Sequence, residues 1–327
     1  ILLEKPVAPT IEECLLLETA AKDYSRTICV AHVLRYTTFF QSIKDLIRAN
    51  AIGKIRGIQH NENIGHIHFA HSFVRGNWSR RGTSSPTILA KSCHDLDILL
   101  DIVDAESAQV SSFGSSGSFS AANCPVGAPT HCLDGCPHAS SCPYYAPSIY
   151  LKGDVDWPVN VVTTDLSPDG IRAALRTGPY GRCVYRCDND AIEHQVVNFR
   201  FKNDVTAVFT MSAFTKETSR TLKIVGEKGE IRGALEKQEL EVFDFVSGKT
   251  HRIILDTPKS GNGHAGGDES LMEHLIQHIR WPERIPLDTG LSSAIQSHVM
   301  AFAAEESRMT GKVIDLESFR RSCEEVR

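Results

Sequence analysis

Apolar positions recur along the chain with two different periods, and the switches between them divide it into three stretches. Up to about residue 52, strand and helix patterns alternate. Pro9 and Thr10 open a helix with a Thr-x-x-Glu capping box (Thr10, Glu13), which supplies partners for otherwise unbonded backbone donors, and the pattern carries that helix to about Tyr24. An apolar run from Ile28 to Leu34 predicts a buried strand suited to a parallel sheet. Phe40, Ile43, Leu46 and Ile47 then share one face of a second helix that ends near Asn50 and Gly53. Short links between these elements read as part of a doubly wound sheet.

From about 55 to 123, a strand (Ile55 to Glu62) is followed by a polar loop and a helix starting near His94, with Leu96, Ile98, Leu99, Leu100 and Ile102. A strand over roughly Gln109 to Phe113 leads into Ser/Gly-rich turns and a cysteine-rich insert, Cys124 to Cys142. From about 190 the period is two. Strands are predicted over His194–Phe201, Val205–Ala213, Thr221–Val225, Leu240–Phe245 and His251–Leu255, with turns at Asn203-Asp204, Glu227-Lys228-Gly229 and Ser247-Gly248. Such a meander predicts a broad antiparallel sheet, and two helices, about 267–279 and 289–308, close the chain. The expected division is 1–52, the later part of a nucleotide-binding domain, and 53–327, an α/β domain, with helix 94–103 at their boundary.

Gly261-Asn262-Gly263-His264-Ala265-Gly266 fits the G-x-G-x-x-G pattern of dinucleotide sites. That fingerprint works straight after a first strand and inside a strand-helix-strand unit, where pyrophosphate meets a helix N-terminus. Here it follows Pro258-Lys259-Ser260 at the end of a meander, so it reads as a loop capping a helix. No other stretch supplies the fingerprint, and the N-terminus, which begins inside an apparent strand without a Met, reads as a cut end.

Composition narrows the partners. With 41% hydrophobic and 23% charged residues in 327, the chain is an ordinary globular one, and its net charge of −5 argues against a nucleic-acid binder. No apolar run approaches the ~20 residues that span a bilayer, and nothing directs export, so a cytoplasmic location is expected. Four of the ten cysteines (Cys124, Cys132, Cys136 and Cys142) fall in the insert, where four thiolates could close a tetrahedral structural zinc site. Cys183 and Cys187 could join or substitute; an iron–sulfur cluster, disulfides or plain thiols are the alternatives.

Two constellations carry chemistry. Glu4-Lys5-Pro6 ends an apolar strand before a capped helix, and ligands of open parallel sheets bind off the carboxyl ends of strands. Lys91-Ser92-Cys93-His94-Asp95-Leu96-Asp97 places Lys91, His94 and Asp97 on one helix face, and histidine is suited to take a hydroxyl proton near neutral pH. A surface lysine and a capped helix start are the bland alternatives.

Together these motifs and the meander resemble the glucose-fructose oxidoreductase/inositol dehydrogenase (Gfo/Idh/MocA) family, over essentially the whole chain but without that family's first nucleotide-binding strands. The resemblance implies the remnant of a doubly wound Rossmann domain joined to an α/β domain with a large, mostly antiparallel sheet. It implies hydride transfer between NAD or NADP and a sugar, sugar derivative or cyclitol, with Lys5, His94 and Lys91 as the catalytic set. Many members carry an aspartate four residues before the histidine; here that position is Ala90. Asp97, Tyr36, Tyr180, Arg182 and His264 become candidates for substrate contact, with Asp188-Asn189-Asp190 and His194 as lesser ones. Glu4, Lys5, Pro6, Arg75 and Trp78 become candidates for the cofactor. Relatives pack their broad sheets together, so a homodimer or homotetramer is expected. Two other readings stand beside this one: a non-catalytic, metal-stabilised relative that binds a carbohydrate or a protein, and a relative using nicotinamide for hydrolysis or elimination.

Overall fold

The computed structural model describes residues 1–256 and 264–325. The chain opens with strand β1 (Leu2–Leu3), helix α1 (Ile11–Ala21), β2 (Cys29–Val30) and α2 (Thr38–Arg48). Next come β3 (Ile55–Ile64), the short α3 (His66–Phe69), α4 (Thr87–Val103) and β4 (Ser107–Ser115). The insert that follows contains α5 (Ala146–Tyr150) and α6 (Pro168–Thr177). Strands β5 (His194–Phe201), β6 (Thr206–Ser212), β7 (Thr218–Gly226), β8 (Gly229–Ala234), β9 (Glu239–Asp244) and β10 (Lys249–Ile254) form the meander. Helices α7 (Gly267–Arg280) and α8 (Leu291–Thr310), β11 (Ile314–Asp315) and α9 (Leu316–Glu325) complete the described chain.

Helix α1 begins where the capping box predicted: Thr10 Oγ1 accepts the Glu13 N–H at 3.2 Å, and its hydroxyl meets Glu13 Oε2 at 3.2 Å. The strand predicted over Ile28 to Leu34 is cut to two residues. β1 offers only Leu2 and Leu3 as parallel partners, while the Val30 N–H on the other edge bonds the Thr289 carbonyl at 2.8 Å. With no further ladder to extend, the chain turns into a 3₁₀ segment at Val33.

The large sheet has nine strands in the order β10-β9-β8-β7-β3-β6-β5-β4-β11. It is mixed, because β3 runs parallel to β6 and antiparallel to β7, while the other neighbouring pairs are antiparallel. The meander prediction missed β8 and the edge strand β11. Glu230 and Arg232 pair as charges on the exposed side of β8, which blurs its apolar alternation. On β5 the alternation is complete: Gln195, Val197, Phe199 and Phe201 point inward, and His194, Val196, Asn198 and Arg200 outward. Helix α4 packs on β3 and β6, and α8 packs on α4 and β4. The core between them includes Phe39, Phe40, Leu96, Leu99, Phe209 and Ile224.

Helix α4 starts seven residues earlier than the sequence reading placed it, behind Pro86. Lys91, His94 and Asp97 therefore occupy its middle turns and not its mouth, and a role for the two aspartates at the helix N-terminus falls away. The cysteine insert is also organised differently from expectation. Cys132, Ala146, Tyr150, Val159, Ile171, Leu175 and Tyr180 form an apolar cluster of their own. Cys132 N–H to Gly181 O and Cys183 N–H to Thr130 O, both 2.8 Å, tie its two ends together. Among the described residues no three His, Cys, Asp or Glu side chains are arranged to hold a metal ion, so the expected zinc shell of Cys124, Cys132, Cys136 and Cys142 is not formed. The insert is held by apolar burial and backbone bonds instead. No described helix is long and apolar enough to cross a membrane.

Close packing where the α2–β3 corner meets β7 has a testable consequence. A Cβ on Gly226 would lie 2.1 Å from the Ile52 carbonyl oxygen, a backbone atom that cannot swing aside. Gly226→Ala is expected to cost about 1–3 kcal/mol in urea unfolding. Gly82→Ala, whose Cβ meets nothing within 4 Å, should stay within about 0.5 kcal/mol.

Candidate functional site

Strand β3 turns His60 and Glu62 inward between Ile58 and Ile64, and β7 turns Arg220 inward in line with Leu222 and Ile224. These polar groups sit at core positions and are compensated by α4. Arg220 Nε lies 2.7 Å from Glu62 Oε2 and 2.8 Å from Asp95 Oδ1, and His60 Nε2 reaches the same Asp95 oxygen at 2.8 Å. Lys91 Nζ meets Glu62 Oε1 at 3.2 Å. Burial opposes the charge on Asp95, but Arg220 and His60 hold its carboxyl well below the usual range. Burial prevails at the other end of the network: it pushes Glu62 up and Lys91 down, despite their mutual attraction and the Arg220 charge beside Glu62.

Two residues further along α4, Asp97 is gripped by Arg35 through two bonds of 2.6 Å (Nε to Oδ2, Nη2 to Oδ1). Arg35 also reaches Asp101, the Asp288 carbonyl and Ser293 Oγ, which ties α4 to the start of α8. His32 Nδ1 stands 3.0 Å from Asp97 Oδ1. Against the penalty of burial, His32 and Arg35 bring Asp97 down to about 2. Both oxygens of Asp97 are thus engaged, and the residue is 1% exposed; it anchors the site's wall.

His94 lies between these two ion-pair systems. It is 2% exposed, and neither ring nitrogen has a hydrogen-bond partner among the described residues. Its ring is 5.7 Å from that of His32 and 5.2 Å from that of His264. Burial first, then the nearby Lys5, His32, His264 and Arg220, press its pKa well below the ordinary value, so the imidazole is neutral near neutral pH. Lys5 sits at the end of β1, before a cis peptide bond to Pro6. The next residue is fixed from α8: the Val7 N–H donates to His298 Nε2 at 2.9 Å, while His298 Nδ1 donates to the Ala294 carbonyl at 2.7 Å. Lys5, Pro6 and Trp78 share the wall of a cavity of about 1000 Å³ with Thr10, Arg81 and Ser85. His94 is not in that wall, though Lys5 is close enough for its charge to act on it.

The structure therefore gathers Lys5, His94 and His264 at one place, with Lys91 reaching the adjoining network. Glu4 is exposed on the same strand end. Other expected residues lie elsewhere. Arg75 is buried and spent on the carbonyls of Arg182 (2.8 Å) and Tyr144 (2.6 Å). Arg182 pairs with Asp188 at 3.6 Å, Tyr180 stacks on His71 at 4.6 Å, and the Tyr36 hydroxyl bonds Thr289 Oγ1 at 3.0 Å. The sequence reading missed His32, Arg35, Glu62, Arg220 and His298. For Glu62 and Arg220 a signal existed, since each breaks an apolar alternation at an inward position.

Removing one partner of such a buried ion pair leaves the other uncompensated. Arg220→Met is expected to lower stability by about 3–5 kcal/mol in urea unfolding. Asp97 has its carboxyl depressed on folding, so its contribution is complete above the unfolded value of about 3.9. That contribution is lost as pH falls towards about 2; thermal melts between those pH values should show the midpoint dropping, less steeply in Asp97→Asn.

Comparison with known proteins places this arrangement. Residues 44–316 match the family model described as oxidoreductase family, C-terminal alpha/beta domain. YteT of Bacillus subtilis (strain 168), provisionally named an oxidoreductase, is 23% identical over 299 residues, 84% of this chain and 66% of its own length. The chain thus spans slightly less than two thirds of that relative. A levoglucosan dehydrogenase in complex with NADH superposes with a TM-score of 0.68 at 16% identity, covering 97% of this chain and 73% of that one. A super-repressor mutant of Gal80p from Saccharomyces cerevisiae does so at 0.66 and 12% identity, over 98% and 72%. The two solved structures share the fold; the match to the family model over most of the length is what establishes that this chain belongs to the glucose-fructose oxidoreductase/inositol dehydrogenase (Gfo/Idh/MocA) family of oxidoreductases.

Proposed function

We propose that the protein is an NAD(P)-dependent dehydrogenase acting on a secondary alcohol of a sugar, sugar derivative or cyclitol. The observation that carries this reading is His94, a buried neutral imidazole with both nitrogens unpartnered among the described residues, near Lys5, which lines a large cavity. A neutral imidazole is poised to accept the hydroxyl proton as the alcohol is oxidised. The Lys5 ammonium favours the alkoxide character that develops on the same oxygen. Lys91, tied to Glu62, lies three residues before His94 on the same helix.

The cavity beside Lys5 fits the nicotinamide half of a dinucleotide: the Trp78 indole is 36% exposed, and the buried Ser85 hydroxyl has no partner among the described residues. When bound there, the nicotinamide would take or return the hydride. Glu4, Lys5, Pro6 and Trp78 remain the proposed contacts to it, whereas Arg75 is better placed to brace the insert. Residues 261–263 of the G-x-G-x-x-G sequence lie outside the described residues. Gly266 takes the N-cap position of α7, in keeping with a helix-capping loop.

A second reading, a regulator or carbohydrate-binding relative without redox chemistry, is favoured by the likeness to Gal80p. Titration of NADH and NADPH, followed by intrinsic and nicotinamide fluorescence, separates the two. Binding, with Lys5→Ala and His94→Ala each lowering turnover of a sugar or cyclitol by about 10²-fold or more, supports the dehydrogenase. Binding of neither nucleotide moves the protein to the second reading.

The outer face of the large sheet bears on assembly. Phe113 is 66% exposed and pairs across β4–β5 with Val196, and Val208 on β6 shares that face. An apolar strip of this kind is covered most simply by a second copy. Light scattering at micromolar concentration is expected to give a dimer or tetramer, and Phe113→Asp to give a smaller species.

A further inference from the structure

Oxidation of an alcohol at His94 leaves a proton on a ring sealed from water, and that proton must go somewhere. The imidazoles around it form a file: His264 at 5.2 Å on one side, His32 at 5.7 Å on the other, and His298 stacked at 5.8 Å behind His32. The inward branch is closed. Both nitrogens of His298 are occupied, by the Val7 N–H and the Ala294 carbonyl, and Asp97 behind His32 is saturated by Arg35. The outward branch is open. The His264 side chain is 37% exposed, and Asp268, half exposed in the first turn of α7, faces its Nδ1 at 3.2–3.3 Å and accepts its backbone N–H at 3.2 Å. With Nδ1 engaged by a carboxylate, Nε2 is the nitrogen left to exchange protons with His94.

Resting on the dehydrogenase reading above, we propose that His264, oriented by Asp268, is the proton exit of the site, passing the proton from His94 to bulk water. The substrate O–H bond breaks as an N–H bond forms on His94, and the hydride leaves to the oxidised dinucleotide. The proton then moves from His94 to His264 Nε2 and on to solvent, which restores the neutral His94. Lys5 and Arg220 face both rings, and His32 faces His94 from behind; together with burial they disfavour a charge resting on His94, so the proton is driven outward. Asp268 favours a proton on His264, against the burial that lowers its pKa. His264 acts through His94 and is a positioning and proton-carrying residue.

The test does not need turnover. In the full chain labelled with ¹⁵N-histidine, the exchange rate of the His94 ring N–H with water is measured by saturation transfer, the signal being assigned by its loss in His94→Gln. His264→Phe, which keeps ring packing, should slow that exchange, and Asp268→Asn should slow it too, while His32→Phe leaves it unchanged. Should His264→Phe fail to fold, His264→Gln carries the same comparison. Unchanged or faster exchange without His264, or slowing only in His32→Phe, would overturn the proposal. In the complete protein with nucleotide and polyol, His264→Phe should lower kcat by about 10²-fold with KM unchanged, and added imidazole should restore it. If the wild type binds nucleotide but turns nothing over, the dehydrogenase reading fails, and the exchange measurement still decides the proton route.

Discussion

The buried pairing of Asp95 with Arg220 is the contact on which the rest of the site depends. Asp95 lies on α4 and Arg220 on β7, with Glu62 and His60 of β3 completing the network and the Asp95 carboxylate fully buried. Ionised groups so deep in a core cost several kcal/mol each unless they meet partners in good geometry. The partners exist only when α4 lies over β3 in one position, with β7 beside it, because a shift of one residue in either strand would turn its charged side chain to the opposite face. Apolar packing alone would bring α4 to the sheet without choosing that position. The network selects it, and so sets where His94, one residue along the helix from Asp95, emerges.

A second ion-pair system does the same for the other side of His94. Arg35, in the 3₁₀ segment after β2, clamps Asp97 and reaches across to the start of α8, whose His298 in turn holds the Val7 backbone. Lys5 is therefore positioned by a chain of contacts running from α4 through Arg35 to α8 and back to the end of β1. The lysine and the histidine come from segments almost ninety residues apart, yet their meeting point is over-determined. That is how the two side chains keep their geometry although one of them, Lys5, has no hydrogen bond or ion pair of its own among the described residues.

What the sequence discloses depends on whether a signal is local. The Thr10–Glu13 box, the alternation of β5 and the apolar face of α2 are local, and each element formed where its pattern placed it. Fold class and family followed. The start of α4 was misplaced because its first turns, Thr87 to Ala90, are buried by the sheet and the insert and carry no distinguishing polar face. The zinc expectation found no support for a similar reason: cysteine spacing is visible in the sequence, whereas the apolar cluster that holds the insert joins Cys132 to Tyr150, Ile171 and Tyr180, which no cysteine spacing predicts. Glu62 and Arg220 were legible in principle as charges at inward strand positions. His32 and His298 were not, since a single histidine in an apolar segment gives no hint of the ring it will face.

Fold by itself does not assign chemistry here, since a levoglucosan dehydrogenase and Gal80p superpose on this chain about equally well. The distinction has to come from what the core is made to tolerate. A protein that only binds through its surface gains nothing from a buried imidazole whose two nitrogens have no partner among the described residues. Such a group lowers stability by its unmet hydrogen bonds, and packed apolar residues would serve a scaffold better. His94 is kept in that state by two separate ion-pair networks and is flanked by a lysine on one side and a half-exposed histidine–aspartate pair on another. A buried polar group left unmet at one point, with an ion-pair network on either side of it, is what the role proposed for His94 requires.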